Sequence, residues 1–239
     1  IRGDNKLNDE KQVIDYYAKE NVVERYDKKR YSTGGGKAVD KTEKSIVLQF
    51  IKNAPENSYF LDLGTGTGRF AQLFHGKNII GVDSSIHMLK KAKNKCETVC
   101  CDILHLPFRN STFSVVVSIR VFIRIRELES YINEVARVMN EQGIFIFDTA
   151  NKYGLSCIAN LFTAEPSQIS HFDHEVRKAL SSVGLQIEEK KNLFLIPRGL
   201  HQSTDGIIHK ILWNLDEQLT KLGLGKIATT SFWKTRRRN

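Results

Sequence analysis

The sequence predicts an α/β fold in which a mostly parallel sheet carries helices on both faces, and three observations support this prediction. Short apolar runs alternate with amphipathic stretches from Tyr59 onward, which is the pattern of repeated βα units. The predicted strands are continuously apolar instead of alternating, as expected for strands that helices cover on both sides. Glycines and acidic residues follow the first three strands, at the edge where such sheets bind ligands.

Five strands and three connecting helices are predicted between residues 59 and 148. The strands are expected at residues 59–63, 78–82, 98–101, 113–118 and 144–148. The helices are expected at residues 70–75, 85–95 and 127–140, where apolar residues recur at helical spacing. Because strand–helix–strand connections are right-handed and bring successive strands parallel, this part of the chain is predicted to form a doubly wound sheet.

Further elements flank this βα core on both sides. Residues 8–27 and 39–52 have helical spacing, with a Gly-rich loop at 31–37 and a break at Pro55 and Asn57. We therefore divide the chain into an N-terminal helical lid segment, residues 1–55, and a main domain, residues 56–239. After Ala150 we expect a helix at 172–183, a strand at 185–196, an extra helix at 207–222 with one apolar face, and a closing strand at 226–233.

The composition is that of an ordinary globular protein of 239 residues, with 41% hydrophobic and 26% charged residues. No apolar run is long enough to cross a bilayer. Because no apolar signal segment precedes the first predicted helix, we expect a cytoplasmic protein. The oligomeric state is not determined by the sequence.

The formal net charge of +9 allows two interpretations. Residues 234–238 form a cationic tail, which is suited to binding phosphate groups. Alternatively, the charge belongs to a solvated surface and a frayed chain end. Because no aromatic residues alternate with the basic ones, as they do on single-strand-binding surfaces, we keep nucleic acid only as an alternative partner.

Neither the cysteines nor the histidines form a metal-ligand pattern. Three of the four cysteines lie in or beside the third predicted strand: Cys96, Cys100 and Cys101. Cysteine acts there as a small apolar residue, and this spacing matches no zinc motif. His171, His174 and Glu175 open a predicted helix, so helix capping and surface exposure explain them better than metal binding. We predict no metal site.

The strongest functional signal is a Gly-rich turn directly after the first predicted strand. It reads Asp62-Leu63-Gly64-Thr65-Gly66-Thr67-Gly68-Arg69. Glycines permit a tight turn and close approach of a ligand to the backbone, and the N–H groups of a following helix bind negatively charged groups. Because Arg69 stands where the dinucleotide fingerprint needs its third glycine, we disfavour a nicotinamide dehydrogenase.

Acidic residues also follow the second and third predicted strands. Asp83 lies about twenty residues after Asp62, where doubly wound folds place an acid against ribose hydroxyls. Asp102 ends the third strand, where its carboxylate can accept from an adenine amino group while the N–H of Ile103 donates to the ring. Helix capping explains Asp83 taken alone, but three acids at three successive strand ends favour a shared ligand site.

Together these motifs resemble the type 11 branch of class I S-adenosylmethionine-dependent methyltransferases, which includes the ubiquinone and menaquinone biosynthesis enzymes. The resemblance covers roughly residues 26–148. It implies a Rossmann-like sheet that ends in an antiparallel hairpin, formed here by residues 185–233. It also implies S-adenosylmethionine as the methyl donor and S-adenosylhomocysteine as the product, without a metal.

The same resemblance implies which residues contact the cofactor. Met88, in the turn Val82-Asp83-Ser84-Ser85-Ile86-His87-Met88-Leu89, stands where a side chain packs on adenine. Ser118 ends the fourth strand, where the family places the reacting sulfonium. The implied cofactor-binding set is Asp62, Gly64, Thr65, Gly66, Gly68, Asp83, Ser84, Met88, Asp102, Ile103 and Ser118.

The stretch after the fourth strand departs from the family pattern. Ile119-Arg120-Val121-Phe122-Ile123-Arg124 contains none of the His residues often found there, which argues against a His-based proton transfer. Arg120 either holds an acidic acceptor through a bidentate contact with carboxylate or phosphate, or forms a surface ion pair with Glu127 or Glu129. Tyr31, in a segment that resembles the family's N-terminal lid, is the second candidate for acceptor contact.

The sequence therefore predicts an S-adenosylmethionine-dependent methyltransferase whose acceptor is an O, N or C atom of a small molecule. An RNA (tRNA) methyltransferase and a non-catalytic binding protein of the same fold are the alternatives. A general base is needed only for a hydroxyl or ammonium acceptor. Tyr31 and His201 are candidates for it without a supporting pattern, so we assign no catalytic residue.

Overall fold

A seven-stranded sheet organises the part of the chain that the computed structural model describes, residues 15–54, 58–74, 77–152 and 169–237. Its strands are β1 (Tyr59–Leu63), β2 (Asn78–Asp83), β3 (Glu97–Cys100), β4 (Phe113–Ser118), β5 (Met139–Ala150), β6 (Leu185–Leu193) and β7 (Thr230–Arg237). Their order is β3-β2-β1-β4-β5-β7-β6, in which β1 to β5 are parallel and β7 runs antiparallel to both neighbours. The predicted fold class is confirmed, and β6 with β7 forms the antiparallel hairpin.

Helices precede the sheet, connect its strands and separate the last two strands. In the described ranges they are α1 (Glu20–Tyr31), α2 (Gly34–Phe50), α3 (Ile86–Ala92), α4 (Leu128–Val138), α5 (Asp173–Ser182), α6 (Arg198–Ser203) and α7 (Gly206–Lys221). Short 3-10 helices cover residues 71–74, 122–124 and 224–227. Helix α7 confirms the predicted extra helix, whereas α6 was not predicted. None of these helices has both the length and the apolar character that a bilayer crossing requires.

Apolar layers lie on both faces of the sheet. Tyr131 and Trp233 belong to one buried cluster, and Phe50 and Phe232 belong to the other. Because side chains alternate along a strand, neighbouring residues 232 and 233 of β7 point to opposite faces, and both are fully buried. Strand β7 is therefore an internal strand of the sheet with an apolar layer on each side.

Two sequence predictions near glycines are wrong. Of the predicted Gly-rich loop at 31–37, residues 34–37 form the first turn of α2, whose N-cap Thr33 accepts from the N–H of Gly36 at 2.9 Å. Gly35 lies so close to α6 that a Cβ there would come within 1.8 Å of the His201 carbonyl oxygen, so glycine serves helix packing. The predicted helix at 70–75 is only a 3-10 turn, Ala71–Phe74, because the glycine turn occupies much of the short connection to β2.

The predicted cationic tail is mostly part of the sheet. Strand β7 continues beyond residue 233 to Arg237, between β5 and β6. Lys234 and Arg236 pair with Glu188 of β6. Arg237 donates to the carbonyl oxygens of Ala136 and Met139 at the end of α4. These basic residues therefore stabilise strand and helix ends.

Some residues considered in the sequence lie outside the described residues: residues 8–14 of the first predicted helix, Pro55, Asn57, His75, Cys157 and Arg238.

Helix α7 keeps part of its apolar face uncovered within the described part of the chain. Ile207, Ile208 and Ile211 are 75%, 62% and 59% exposed. The opposite side of the helix packs through Trp213 against His201 and Phe194. The predicted apolar face exists, but within the described part of the chain the sheet does not bury it.

A buried chain of charged residues joins the N-terminal helices to the sheet. Glu43 of α2 is completely buried and accepts from Arg69 at 2.7 Å and from Arg198 of α6 at 2.8 Å. Arg69 follows the glycine turn and also pairs with Asp40 at 2.9 Å. Burial alone would raise the pKa of Glu43, but the two guanidinium groups outweigh burial and lower it to about 2. Glu43 is therefore ionised and holds α2, α6 and the glycine turn together.

Replacing Glu43 with Gln is expected to lower the free energy of unfolding at neutral pH by about 3 kcal/mol, because two buried guanidinium groups lose their shared anion. The folded pKa lies below the ordinary value, so this stabilisation is complete above about pH 4.5 and is lost as the pH falls toward 2. Urea unfolding of wild type and E43Q at pH 7 and near pH 3 measures the difference. E141Q, at an exposed glutamate, is the matched control; an equal deficit at both pH values would contradict the charged pairing.

Replacing Gly35 with Ala is expected to lower the Tm, because the added methyl group would overlap the backbone of α6. Overpacking of this kind typically costs about 1–3 kcal/mol. Gly199→Ala is the matched control, since a Cβ at Gly199 meets nothing within 4 Å and alanine favours the helix. Thermal unfolding followed by circular dichroism compares the two variants, and an equal Tm for both would mean that α2 and α6 do not pack this closely.

Candidate functional site

A cavity of about 530 Å³ opens at the carboxyl ends of β1 to β4. It is lined by the glycine turn after β1, by Asp83 after β2 and by Asp102 after β3. Arg120 after β4 and Tyr31 from α1 also line it. The order of connections reverses between β1 and β4, and open α/β sheets bind ligands in the crevice at such a reversal.

The glycine turn exposes its backbone to the cavity for steric reasons. Gly64 has φ 65° and Gly66 has φ 55°, a region that favours glycine. A Cβ at Gly64 would also lie 2.4 Å from the Val121 side chain. The turn is anchored by Thr65, whose N–H donates to the carbonyl oxygen of Val82 at 2.9 Å. Backbone atoms of residues 64–67 therefore form the floor of the site.

Asp62 supports this turn from below and does not line the cavity. It is 2% exposed, and its carboxylate accepts from the Thr65 hydroxyl at 2.7 Å. Burial is the main cause that raises the pKa of Asp62 to about 7. The structure thus places Asp62 where it orients Thr65, and any effect on a ligand passes through the loop.

Asp83 faces the cavity and already accepts two backbone hydrogen bonds. Its Oδ2 accepts from the N–H of Gly66 and its Oδ1 from the N–H of Ser85, both at 2.9 Å. Burial raises the pKa of this carboxyl. The N-cap of α3 is Ser85, which accepts from the N–H of Met88 at 3.3 Å. Since two carboxylate oxygens offer about four acceptor positions, Asp83 retains capacity for ligand hydroxyl groups.

The loop after β3 closes the same end of the cavity. Asp102 is exposed, and its oxygens accept from the N–H of Leu104 at 2.9 Å and approach His105 Nδ1 at 3.2 Å. Ile103 lines the cavity beside it, and Met88 of α3 is a buried lining residue. Asp102 and Ile103, which were predicted to contact adenine, therefore line the same cavity as Met88.

Eight of the eleven predicted cofactor residues line the cavity: Gly64, Thr65, Gly66, Asp83, Ser84, Met88, Asp102 and Ile103. The other three are Asp62, Gly68 and Ser118. Gly68 packs against Ala92 of α3, where a Cβ would lie 3.2 Å away. Ser118 is fully buried, and its hydroxyl lies 2.6 Å from the hydroxyl of Tyr131. Ser118 therefore stands behind the wall that Ile119 and Arg120 form.

The two residues predicted to contact an acceptor, Tyr31 and Arg120, both line the cavity. Burial raises the pKa of Tyr31 to about 12, so its hydroxyl stays protonated at neutral pH and acts as a donor. Arg120 has φ 71°, and its backbone N–H donates to Asp148 Oδ1 at 2.6 Å. Its Nε and Nη1 are buried and have no hydrogen-bond partner among the described residues. The predicted ion pair of Arg120 with Glu127 or Glu129 is not formed in this part of the chain.

The remaining candidate residues lie away from this chemistry. His201 is fully buried beside Trp213 and 3.5 Å from Asp216, and it does not line the cavity. Glu175 accepts from the N–H of Phe172 at 2.8 Å, which is the capping interaction expected at the start of α5. Among the described residues, no three His, Cys, Asp or Glu side chains are arranged to hold a metal ion.

Sequence reasoning missed several residues that form the site. Tyr17 lines the cavity and accepts from Arg124 at 3.1 Å. Glu43 and Arg198 fix the position of Arg69 from segments 26 and 129 residues away along the chain. No local pattern marks these residues, since their partners become neighbours only when α2 and α6 pack on the sheet edge.

Comparisons with known proteins agree with this architecture. A family model described as a methyltransferase domain, type 11, matches residues 61–147. An uncharacterized protein of Methanocaldococcus jannaschii is 31% identical over 185 residues, which is 75% of this chain and 79% of that protein. The tRNA (carboxymethyluridine(34)-5-O)-methyltransferase of Schizosaccharomyces pombe is 32% identical over 76 residues, so the match spans only 32% of this chain and 33% of that enzyme.

A solved structure shows the same fold over nearly the whole chain. The magnesium protoporphyrin IX methyltransferase of Synechocystis, with bound S-adenosylhomocysteine, superposes with a TM-score of 0.63. It is 17% identical, and the superposition covers 96% of this chain and all of that one. Sheet order, glycine turn and family match lead to one conclusion. The chain belongs to the type 11 family of class I S-adenosylmethionine-dependent methyltransferases.

Proposed function

We propose that the protein transfers the methyl group of S-adenosylmethionine to an O, N or C atom of a small molecule. The observation that supports this proposal is the shape of one continuous cavity, whose walls run from the Asp102 loop past the glycine turn to Tyr31 and Arg120. One end presents groups suited to an adenosyl moiety. The other end is left for an acceptor, next to the end of β4.

The lining residues fit the cofactor. Asp83 would accept from the ribose hydroxyls, and Asp102 with the N–H of Ile103 would bond the adenine edge. Met88 would pack on the adenine ring, and the backbone of Gly64 and Gly66 would lie against the methionine portion. When bound, the cofactor supplies a methyl carbon that its sulfonium sulfur makes electrophilic. What the chain must add is alignment of the acceptor and exclusion of water.

We also propose that the N-terminal segment, residues 1–55, acts as a lid on the main domain. Its described part is fastened to the cofactor side by three hydrogen bonds. The Thr67 hydroxyl donates to Asp27 at 2.9 Å, the Ser85 hydroxyl to the carbonyl oxygen of Tyr17 at 2.7 Å, and Lys91 to that of Val23 at 2.8 Å. Tyr17, Tyr26 and Tyr31 form the inner surface of this segment, which would shield the reacting atoms from water.

A small acceptor is favoured over RNA by where the basic residues lie. The tRNA enzyme named above is similar to about a third of this chain, and the net charge of +9 suits a polyanion. However, Lys234 and Arg236 pair with Glu188, and Arg237 donates to a backbone carbonyl oxygen, so these residues already have partners within the protein.

We propose a cytoplasmic location. Cys96, Cys100 and Cys101 support it because they are unpaired thiols, as expected in a reducing compartment.

Replacing Asp83 with Ala is expected to raise the Kd for S-adenosylmethionine about tenfold or more, because each lost charge-assisted hydrogen bond is worth about 1.5–3 kcal/mol. Isothermal titration calorimetry measures the change, and circular dichroism verifies that the variant is folded. Asp173→Ala is the control, since Asp173 pairs with Lys190 and does not line the cavity. An unchanged Kd in folded D83A would show that the ribose assignment is wrong, and no binding by wild type would remove the catalytic proposal.

Any affinity of wild type for total tRNA in a gel-shift assay at low ionic strength is expected to come from the net charge of +9 and to disappear as the salt concentration rises. Because binding of a polyanion to basic residues weakens steeply with salt, the same assay at rising salt distinguishes specific retention from surface charge. A tRNA complex that persists as salt rises would favour the RNA alternative over the small acceptor.

A further inference from the structure

Arg120 is a partly buried residue that lines the cavity, and part of its guanidinium group has no hydrogen-bond partner among the described residues. Its Nε and Nη1 are shielded from solvent and bond to no described residue. The other two buried guanidinium groups of this region are paired, Arg69 with Asp40 and Glu43, and Arg198 with Glu43. A buried charge without a partner is costly and rare in folded proteins. A ligand group that pairs with Arg120 would remove this cost.

Glu43 and Asp148 attract the charge of Arg120, but neither carboxylate forms a hydrogen bond with its Nε or Nη1. Asp148 is the nearest one in the network, but its Oδ1 accepts from the backbone N–H of Arg120, and its Oδ2 lies 4.0 Å from Arg198. The ring of Tyr31 is already covered by Arg69 at 4.7 Å, and its protonated hydroxyl can only add a second donor to an anion. The side chains around Arg120 are thus arranged to receive a negative group.

The sheet order decides which ligand supplies this group. Strands β2 and β3, with Asp83 and Asp102, lie on one side of β1, whereas β4 lies on the other side. An adenosyl moiety held by these two acids extends away from β4. Arg120, two residues beyond the end of β4, therefore lies on the acceptor side of the glycine turn.

We propose that the acceptor is a carboxylic acid whose carboxylate pairs with Arg120 and is itself methylated to a methyl ester. This inference rests on the proposed function. A planar carboxylate with one negative charge matches a single free guanidinium, and such pairs are strong and directional. The acceptor would be oriented by Arg120 and Tyr31 together.

The chemistry of this step needs no base from the chain. A carboxylic acid is already ionised at neutral pH, so its oxygen has the electron pair that the reaction uses. That oxygen bonds to the methyl carbon, the bond from this carbon to sulfur breaks, and its electron pair stays on the sulfur. No proton is released. The raised pKa of Tyr31 makes its hydroxyl a donor and a poor base. This agrees with a carboxylate acceptor and disfavours an alcohol acceptor, which would need a base to remove its proton.

The first test compares the Tm of a variant at Arg120 with that of wild type. If Arg120 had only a structural role, replacing it would lower the Tm. Arg120→Gln removes two buried nitrogens that lack hydrogen bonds and the repulsion between Arg120 and Arg198, but it keeps the backbone N–H bond to Asp148, so its Tm is expected to equal or exceed that of wild type. Arg109→Gln, at an exposed arginine, is the matched control for the charge change. A Tm of R120Q clearly below both would assign Arg120 a structural role and overturn the proposal.

The second test uses formate and acetate, the smallest carboxylates, on the protein saturated with S-adenosylhomocysteine. Both are expected to raise the Tm of wild type and of R109Q relative to chloride at equal ionic strength, because a ligand that binds only the folded state stabilises it. Formamide and acetamide are expected to have no such effect, and R120Q is expected to lose the carboxylate effect. Equal shifts in wild type and R120Q, or no shift in wild type, would contradict the carboxylate site.

The third test identifies the methylated group. The protein is incubated with S-adenosylmethionine labelled in the methyl group and with a low-molecular-mass cell extract. The labelled product is expected to release methanol in alkali, as esters do. The amount of label incorporated is expected to be about tenfold or more lower with R120Q than with wild type. An alkali-stable label, no label, or a Kd for S-adenosylmethionine raised about tenfold in R120Q would overturn the proposal. Failure of wild type to bind S-adenosylmethionine, with the formate effect present in the protein without cofactor, would instead reject the proposed function and leave the anion site.

Discussion

The position of one buried carboxylate, that of Glu43, holds the site together. It lies between Arg69, which follows the glycine turn, and Arg198 of α6, so three segments far apart in the chain share one electrostatic contact. The guanidinium groups keep this carboxyl ionised although it is completely buried. Buried ion pairs of this kind contribute little net stability compared with apolar packing, but losing one partner is expensive. Their consequence here is orientation, because α2 and α6 take one position relative to the glycine turn.

Asp83 combines a structural role with a position at the cavity. Asp83 accepts from the N–H of Gly66 and of Ser85, so it connects the glycine turn to the start of α3. Asp83 therefore accepts from backbone N–H groups and also lines the cavity, although helix capping and ligand contact were alternatives on the sequence alone. Asp62 acts one step further from the ligand, since it is buried under the turn and orients Thr65.

Much of the fold and of the cofactor wall was predictable because its signals are local. The alternation of apolar strands and amphipathic helices predicted the parallel order, and the carboxyl ends of parallel strands necessarily meet at one edge. Residues 64–66, 83, 88, 102 and 103 consequently line one cavity. Ser118 and Gly68 do not line this cavity. Whether a residue at a strand end or in a loop faces the cavity or the protein interior depends on how the whole sheet packs.

The sequence by itself determined the βα order, the glycine turn and the acids after the strands, since each follows from a few neighbouring residues. Only the tertiary structure decided that residues 234–237 form an internal strand paired with Glu188, that Gly35 serves helix packing, and that Arg120 is left unpaired at the cavity. The physical reason is that a charge or a glycine has no fixed role in a sequence. Its role depends on which groups the folded chain brings within a few ångströms, and here those groups come from distant segments.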